Sequence, residues 1–131
     1  MRAAFTLIEL IFVIIVAGIL ASVAMLKLSA VRTDAEATTT FSNFNNAVRY
    51  INEIAYTKGI IPQIDTYVPS GGGLTTTATT IVAEVGGETC ANGQIVDTNF
   101  NIVFVSTTGN CEIFKGMTDM VYPLSGNSIQ R

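Results

Sequence analysis

The sequence predicts an α+β fold in which a long N-terminal helix packs against a small antiparallel sheet. Residues 5–26 form an apolar run that contains a single charge, Glu9. Residues 27–58 contain neither Pro nor Gly, and apolar residues recur there at steps of three and four. Residues 80–131 are rich in Val, Ile, Thr and Phe between Gly- and Asn-containing turns. These three observations predict the helix, its amphipathic continuation and the sheet.

The apolar run is long enough to cross a membrane, for which about 20 residues suffice. A charge at the centre of a membrane helix costs about 2.5–3.5 kcal/mol on insertion scales, and Glu9 lies nearer one end, where the cost is smaller. No Lys, Arg or His lies within helical reach of Glu9 inside the run. We therefore expect its partner to be a newly created group or another molecule, which favours an assembly subunit over a soluble enzyme.

The heptapeptide AFTLIEL at residues 4–10 leads directly into the apolar run. It resembles the processing site of type IV pilins and type II secretion pseudopilins, in which a dedicated peptidase cuts before an aromatic residue and methylates the new amine. The resemblance implies that residues 1–4 are a leader, that Ala4 is its last residue and that Phe5 is the methylated mature N-terminus. Glu9 is then the assembly carboxylate. Ala4 stands where the family usually has Gly.

Cleavage at this point would supply the cation that Glu9 lacks. The nitrogen of Phe5 is an uncharged amide before cleavage and an amine, positive near neutral pH, afterwards. Within one straight helix that amine points outward along the axis, so a neighbouring subunit is better placed to present it. Breaking a buried ion pair from one side costs about 3–5 kcal/mol. We hypothesise an intermolecular pair of Glu9 with a Phe5 amine in a homo-oligomeric helical filament.

The helix is predicted to continue through residues 27–58 as its amphipathic half. Lys58 followed by Gly59 is a typical C-terminal stop, and Thr38–Thr40 is the stretch of lowest helix propensity. Family members often carry Pro at the position of Leu26, so its absence predicts a straighter N-terminal helix than in Pro-bearing relatives. Gly18 remains as a weak breaking point or a close-packing position. The residues predicted for the buried stripe are Leu28, Val31, Ala35, Phe41, Phe44, Val48, Ile51 and Ala55.

Residues 59–79 are interpreted as a connecting loop, and residues 80–131 as an antiparallel sheet region. The glycines at 71–73 do not form a phosphate loop, because the Gly-Lys-Ser/Thr ending is missing. Asn92-Gly93 is the best hairpin-turn candidate. The strand around Ile102–Val105 is expected to be buried on both faces. The predicted strands are Thr80–Val85, Gln94–Thr98, Asn101–Thr107, Glu112–Lys115 and Thr118–Tyr122.

Cys90 and Cys111 are the two cysteines of the chain. In an exported domain an even pair is expected to form a disulfide, worth roughly 3 kcal/mol for a loop of this size. Free thiols are the alternative. The chain has no His and no Cys-x-x-Cys, which argues against a metal site, and no cofactor is expected. The resemblance to pseudopilins suggests a calcium site in which Asp97 and Asp119 join backbone oxygens, but the sequence shows no ligand spacing for it, and solvated surface charge is the preferred interpretation.

Composition narrows the function classes. The absence of His removes the commonest general base, so no enzyme is expected. Lys and Arg are scattered in a chain of net charge −3, so direct nucleic-acid binding is not indicated.

The resemblance then implies a type IV pilus subunit that serves adhesion, motility or uptake. It would wait in the bacterial inner membrane, be processed by a prepilin peptidase and be assembled by pilus machinery into an extracellular filament. The paired cysteines favour this over a periplasmic pseudopilin of type II secretion. A third possibility is a secreted β-domain with an ordinary signal peptide cleaved after Ala24.

Overall fold

The computed structural model of the protein describes residues 6–124, apart from the side chain of Ala30. It confirms the predicted α+β fold, with one long N-terminal helix and a five-stranded antiparallel sheet. The chain divides into two compact units at Arg32 and Thr33. Helix α1 (Leu7–Lys58) contributes to both units, and every other element belongs to the second.

Helix α1 is continuous over 52 residues, which agrees with the predicted span of 5–58 within its described part. Its last turn ends as the sequence predicts: Gly59 takes a φ of 64°, and its N–H donates to the Ala55 carbonyl at 2.9 Å. The helix runs without interruption through Gly18 and Leu26. The absence of Pro at this point accounts for the unbroken backbone hydrogen bonding.

The threonine-rich stretch of α1 is helical despite its low propensity. The Thr38 hydroxyl donates to the Asp34 carbonyl at 2.9 Å, and the Thr39 hydroxyl donates to the Ala35 carbonyl at 2.9 Å. These bonds satisfy the hydroxyls within the helix itself. Thr40, by contrast, is fully buried, and its hydroxyl has no hydrogen-bond partner among the described residues.

The described side chains of the N-terminal unit are exposed and form no core. Leu7 and Leu26 are each 77% exposed, and no residue from 6 to 29 is buried. Among the described residues, α1 is the one helix long and apolar enough to cross a membrane by length and composition. The helix thus meets the requirement for a membrane anchor, which a signal sequence near an N-terminus also meets.

The second unit contains a sheet in which each strand pairs with the next along the chain, in the order β1-β2-β3-β4-β5. All four pairings are antiparallel. A short helix precedes the sheet, and a 3₁₀ helix lies between its last two strands. The elements after α1 are α2 (Ile64–Tyr67), β1 (Leu74–Thr76), β2 (Thr80–Val85), β3 (Glu88–Val96), β4 (Asn99–Phe104), the 3₁₀ helix (Gly109–Phe114) and β5 (Met120–Pro123).

Several sequence-based boundaries are corrected by these elements. The predicted strand Thr80–Val85 matches β2, but the predicted loop 59–79 contains α2 and β1. The predicted strand Glu112–Lys115 is wrong, because this segment lies mostly in the 3₁₀ helix. Cys111 and Phe114, three residues apart, are both fully buried, which fits a helix with three residues per turn and not an alternating strand.

The predicted hairpin turn at Asn92-Gly93 is also wrong. Both residues lie inside β3, where Gly93 pairs with Ile81 on one side and Ile102 on the other. Glycine is needed there for space and not for a turn: a Cβ on Gly93 would come within 2.7 Å of Ile81 Cγ2. The β2–β3 turn instead uses Gly86 and Gly87, at φ values of 57° and 82°.

The core lies between the second half of α1 and the inner face of the sheet. Of the predicted stripe, Phe44, Val48, Ile51 and Ala55 are buried, whereas Leu28, Val31 and Ala35 are exposed. The expectation of a strand buried on both faces is wrong within this chain, because Ile102 is buried but Val103 is 47% and Val105 60% exposed. Other large buried side chains are Ile64, Ile81, Val85, Phe100, Phe114 and Leu124.

Candidate functional site

The start of α1 brings Thr6 and Glu9 into a reciprocal set of hydrogen bonds. The Thr6 backbone N–H donates to Glu9 Oε2 at 3.0 Å, and the Thr6 hydroxyl donates to the same oxygen at 2.8 Å. The Glu9 N–H lies 3.4 Å from Thr6 Oγ1, which accepts from it. The Leu10 N–H donates to the Thr6 carbonyl at 3.2 Å, so Thr6 is the residue that caps the helix.

This arrangement is a capping box, in which a Thr and a Glu three residues later satisfy each other's free N–H groups. A carboxylate in the first turn also interacts favourably with the helix dipole. The partner predicted for Glu9 is a cation, so the sequence prediction does not include Thr6. The signal was present in the Thr-x-x-Glu spacing at the beginning of an apolar helix.

The local hydrogen bonds do not neutralise Glu9. Thr6 contributes two donors but no positive charge, so it does not balance the charge of a carboxylate that lies amid exposed apolar side chains. Ile8 is 74% exposed and Phe12 67%, and with Val13 these residues surround the carboxylate in a shallow surface hollow. In lipid or in a helix bundle this surface would be covered, and Glu9 would then need a cationic partner.

The other two residues of the predicted processing site, Ala4 and Phe5, lie outside the described residues. The described residues contain the carboxylate of the hypothesised pair, Glu9.

Cys90 and Cys111 form the predicted disulfide, with their Cα atoms 5.2 Å apart. Cys90 lies in β3 and Cys111 in the 3₁₀ helix, and both residues are fully buried. The bond therefore fixes the 3₁₀ helix on the sheet and closes a segment with a sequence separation of 21 residues.

Phe114, three residues after Cys111, lies at the centre of an aromatic cluster that the sequence did not predict. The Phe114 ring lies 5.1 Å from that of Phe41 and 6.3 Å from that of Phe44, both on α1, and 6.1 Å from that of Phe104 on β4. The pairs with Phe41 and Phe44 are edge-to-face, and the pair with Phe104 is tilted. Edge-to-face pairs add about 0.5–1.5 kcal/mol each beyond area burial. The cluster thus joins helix, sheet and 3₁₀ helix at one point.

Asp97 and Asp119, the two carboxylates of the calcium alternative, lie in different local environments. Asp119 Oδ1 accepts a hydrogen bond from the Phe104 N–H at 2.9 Å. Asp97 lies in the turn between β3 and β4, with a φ of 54°. Within residues 6–124, no group of three or more His, Cys, Asp or Glu side chains is placed to hold a metal ion.

Comparisons of the chain with protein-family models, with curated proteins and with solved structures found no match.

Proposed function

We propose that this chain is the structural subunit of a type IV pilus filament, processed after Ala4 and assembled through its apolar helix. The observation that carries the proposal is Glu9, a carboxylate on an apolar helical surface whose described partner, Thr6, brings hydrogen bonds but no charge. The heptapeptide at residues 4–10 supplies both the processing signal and the source of the missing cation.

The exposed apolar surface of the N-terminal unit supports this proposal. Its described side chains are exposed over more than twenty residues. A helix that is apolar all round must be covered by lipid or by other helices. Moving from a membrane into a bundle of identical helices exchanges one apolar environment for another. Packing then supplies cohesion between subunits, and the Glu9 pair supplies their axial register.

The C-terminal unit has the properties expected of an outer, exported domain. Its core is closed by residues of α1 and the sheet, and the disulfide Cys90–Cys111 persists best in an oxidising compartment. On the proposed function, this unit forms the filament surface and the lateral contacts between subunits.

The first experiment is mass spectrometry of the protein isolated from its native host. A chain that begins with N-methylated Phe5 supports the proposal. A chain that begins at Met25 indicates ordinary signal cleavage and contradicts it. Electron microscopy of wild-type and deletion strains then separates a surface pilus from a periplasmic pseudopilin: loss of surface fibres in the deletion strain is expected for the pilin.

The role of Glu9 is tested with three matched variants. Glu9→Gln removes the charge and keeps the side-chain size, Thr6→Val removes the capping hydroxyl and keeps the charge, and Glu53→Gln alters an exposed carboxylate on the same helix. We expect Glu9→Gln to reduce filament yield by about tenfold or more, since a lost buried pair is worth about 3–5 kcal/mol. Thr6→Val should have a much smaller effect, and Glu53→Gln none.

Equal losses from Glu9→Gln and Thr6→Val would show that Glu9 acts only as a helix cap. In that case the intermolecular pair would be abandoned. Normal filaments from Glu9→Leu would contradict both roles.

A further inference from the structure

A hollow of about 420 Å³ opens on the C-terminal unit between α1 and the segment from α2 to β1. This volume is within the usual range for small-molecule sites. Asn43, Asn46 and Tyr50 line it from α1, and Tyr67 and Gly72 line it from the opposite side. All described residues of its lining are uncharged.

The glycine-rich wall of the hollow is held in place by specific contacts. Asn43 Nδ2 donates to the Gly72 carbonyl at 3.0 Å. Gly71 and Leu74 exchange backbone hydrogen bonds of 2.8 and 3.1 Å, and Ser70 Oγ accepts from the Thr76 N–H at 2.9 Å. The wall is therefore formed before any ligand arrives, which reduces the ordering cost of binding.

Tyr50 lines this hollow and is partly exposed. The Tyr50 and Tyr67 rings are 6.3 Å apart and nearly perpendicular, at 77°. An edge-to-face contact covers at most one face of one ring. The Lys58 ammonium lies over the Tyr67 ring, 5.0 Å from its centroid. Tyr50, which is 46% exposed, therefore keeps at least one face that neither neighbour covers.

Polar groups for hydrogen bonding lie beside this ring. The Asn46 side chain is exposed and makes no hydrogen bond with the described residues, so its amide offers both donors and an acceptor. Asn43 uses an N–H on Gly72 and keeps its side-chain oxygen as an acceptor. The hollow thus combines a flat aromatic face with neutral donors and acceptors at its rim.

The chemistry of the lining selects among ligand classes. An anionic ligand would find no cationic side chain among the described lining residues, and a cationic ligand would compete with Lys58 for the Tyr67 ring. A pyranose ring has a patch of C–H groups on one face and hydroxyls around its edge, which matches an aromatic face bordered by amides. We propose that this hollow binds a neutral hexopyranose, with its apolar face on Tyr50 and its hydroxyls towards Asn46 and Asn43.

This proposal does not depend on filament formation, so it can be tested on the unassembled chain. The full-length protein is purified in a polyoxyethylene detergent, because detergents with sugar headgroups would occupy the site. The probes are methyl β-D-glucopyranoside, methyl β-D-galactopyranoside and N-acetylglucosamine. Sorbitol serves as an acyclic polyol control, adenosine as a planar-base control and tetramethylammonium as a cation control.

Saturation-transfer NMR is expected to show at least one pyranose bound, with the strongest transfer to the C–H protons of one ring face. Tyr50→Ala should weaken binding by about tenfold or more, and Tyr50→Phe should preserve it. Tyr56→Ala is the matched control, since Tyr56 is 56% exposed on the same helix but does not line the hollow. Asn46→Ala, at an exposed position, should weaken binding several-fold without disturbing the core.

Three results would overturn the proposal. The absence of saturation transfer to all three pyranoses would show that the hollow does not bind this class of ligand. A different ligand class would be assigned if adenosine or tetramethylammonium bound with the same dependence on Tyr50 and none of the pyranoses showed saturation transfer. Equal losses from Tyr50→Ala and Tyr56→Ala would indicate non-specific association with exposed tyrosines.

Discussion

Replacing Gly93 with Ala tests whether the middle of β3 is packed as the structure shows. A Cβ at this position would lie 2.7 Å from Ile81 Cγ2 and 2.8 and 2.9 Å from two ring carbons of Phe100. Carbon atoms pack best at about 3.5–4.0 Å, so all three contacts are too close. Ile81 and Phe100 are fully buried and have little room to move.

Overpacking of this kind costs about 1–3 kcal/mol. The loss of backbone freedom in the unfolded chain returns about 0.4–1 kcal/mol. We therefore expect Gly93→Ala to lower the free energy of unfolding by about 1–2 kcal/mol. The measurement is urea unfolding of the full-length chain in detergent. Near-ultraviolet circular dichroism of the tyrosines serves as the probe of unfolding.

A double-mutant cycle with Phe100→Leu identifies the cause. Leucine removes the ring atoms that meet two of the three contacts, so Gly93→Ala should cost about 1 kcal/mol less in the Phe100→Leu background. Gly87→Ala is the control, since a Cβ there meets no atom within 4 Å but the residue has a φ of 82°. Its cost should come from backbone strain and be independent of Phe100. A cost for Gly93→Ala that Phe100→Leu leaves unchanged would refute the packing explanation.

Three further predictions concern the disulfide, the aromatic cluster and the apolar helix. Replacing both Cys90 and Cys111 with Ala should lower the free energy of unfolding by roughly 3 kcal/mol in the same urea assay, and reductant should then have no further effect. Phe114→Ala should cost about 3–5 kcal/mol, since this fully buried ring contacts three other phenylalanines. Gly18→Ala should slow amide hydrogen exchange in α1, because Ala favours a helix by about 1 kcal/mol and a Cβ there meets no atom within 4 Å.

The elements that could be predicted are those determined by residues close to them in the sequence. Lys58 and Gly59 end α1 where the sequence places its end, because a residue with positive φ cannot continue the helix. The strand Thr80–Val85 was predicted with its observed bounds, since Gly86 and Gly87 form a real turn directly after it. The disulfide was predicted from the even number of cysteines and the expectation that the domain is exported.

The errors arose where tertiary contacts decide the structure. Asn92-Gly93 has the sequence of a tight turn, but pairing with strands on both sides keeps it extended, and Phe100 occupies the space that a side chain at position 93 would need. The 3₁₀ helix depends on the bond from Cys111 to a distant strand and on the aromatic cluster around Phe114. Neither constraint is visible in a window of neighbouring residues.

Of the pair Thr6 and Glu9, only Glu9 was predicted as a site residue, and tertiary contacts are not the reason. The apolar run indicates a missing partner for the charge of the Glu9 carboxylate, whereas the capping spacing indicates a hydrogen-bond partner for its oxygens. The two functions are compatible, because a carboxylate has two oxygens and can accept several hydrogen bonds. Both described bonds from Thr6 end on Oε2, so Oε1 stays available for a second partner.

With one carboxylate oxygen bonded to Thr6 and the other available, Glu9 is suited to a subunit that moves from a membrane into a filament. On the proposed function, hydrogen bonds from Thr6 lower the cost of holding Glu9 at the membrane while no cation is present. In the filament, a neighbouring amine would then pair with the remaining oxygen and fix the register. Thr6→Val should therefore reduce the amount of inserted precursor modestly, and filament in the same proportion, whereas Glu9→Gln should leave precursor levels intact and reduce assembly strongly. Quantifying precursor and filament in the same cells separates the two steps, and a Glu9→Gln precursor that fails to accumulate would contradict this division of roles.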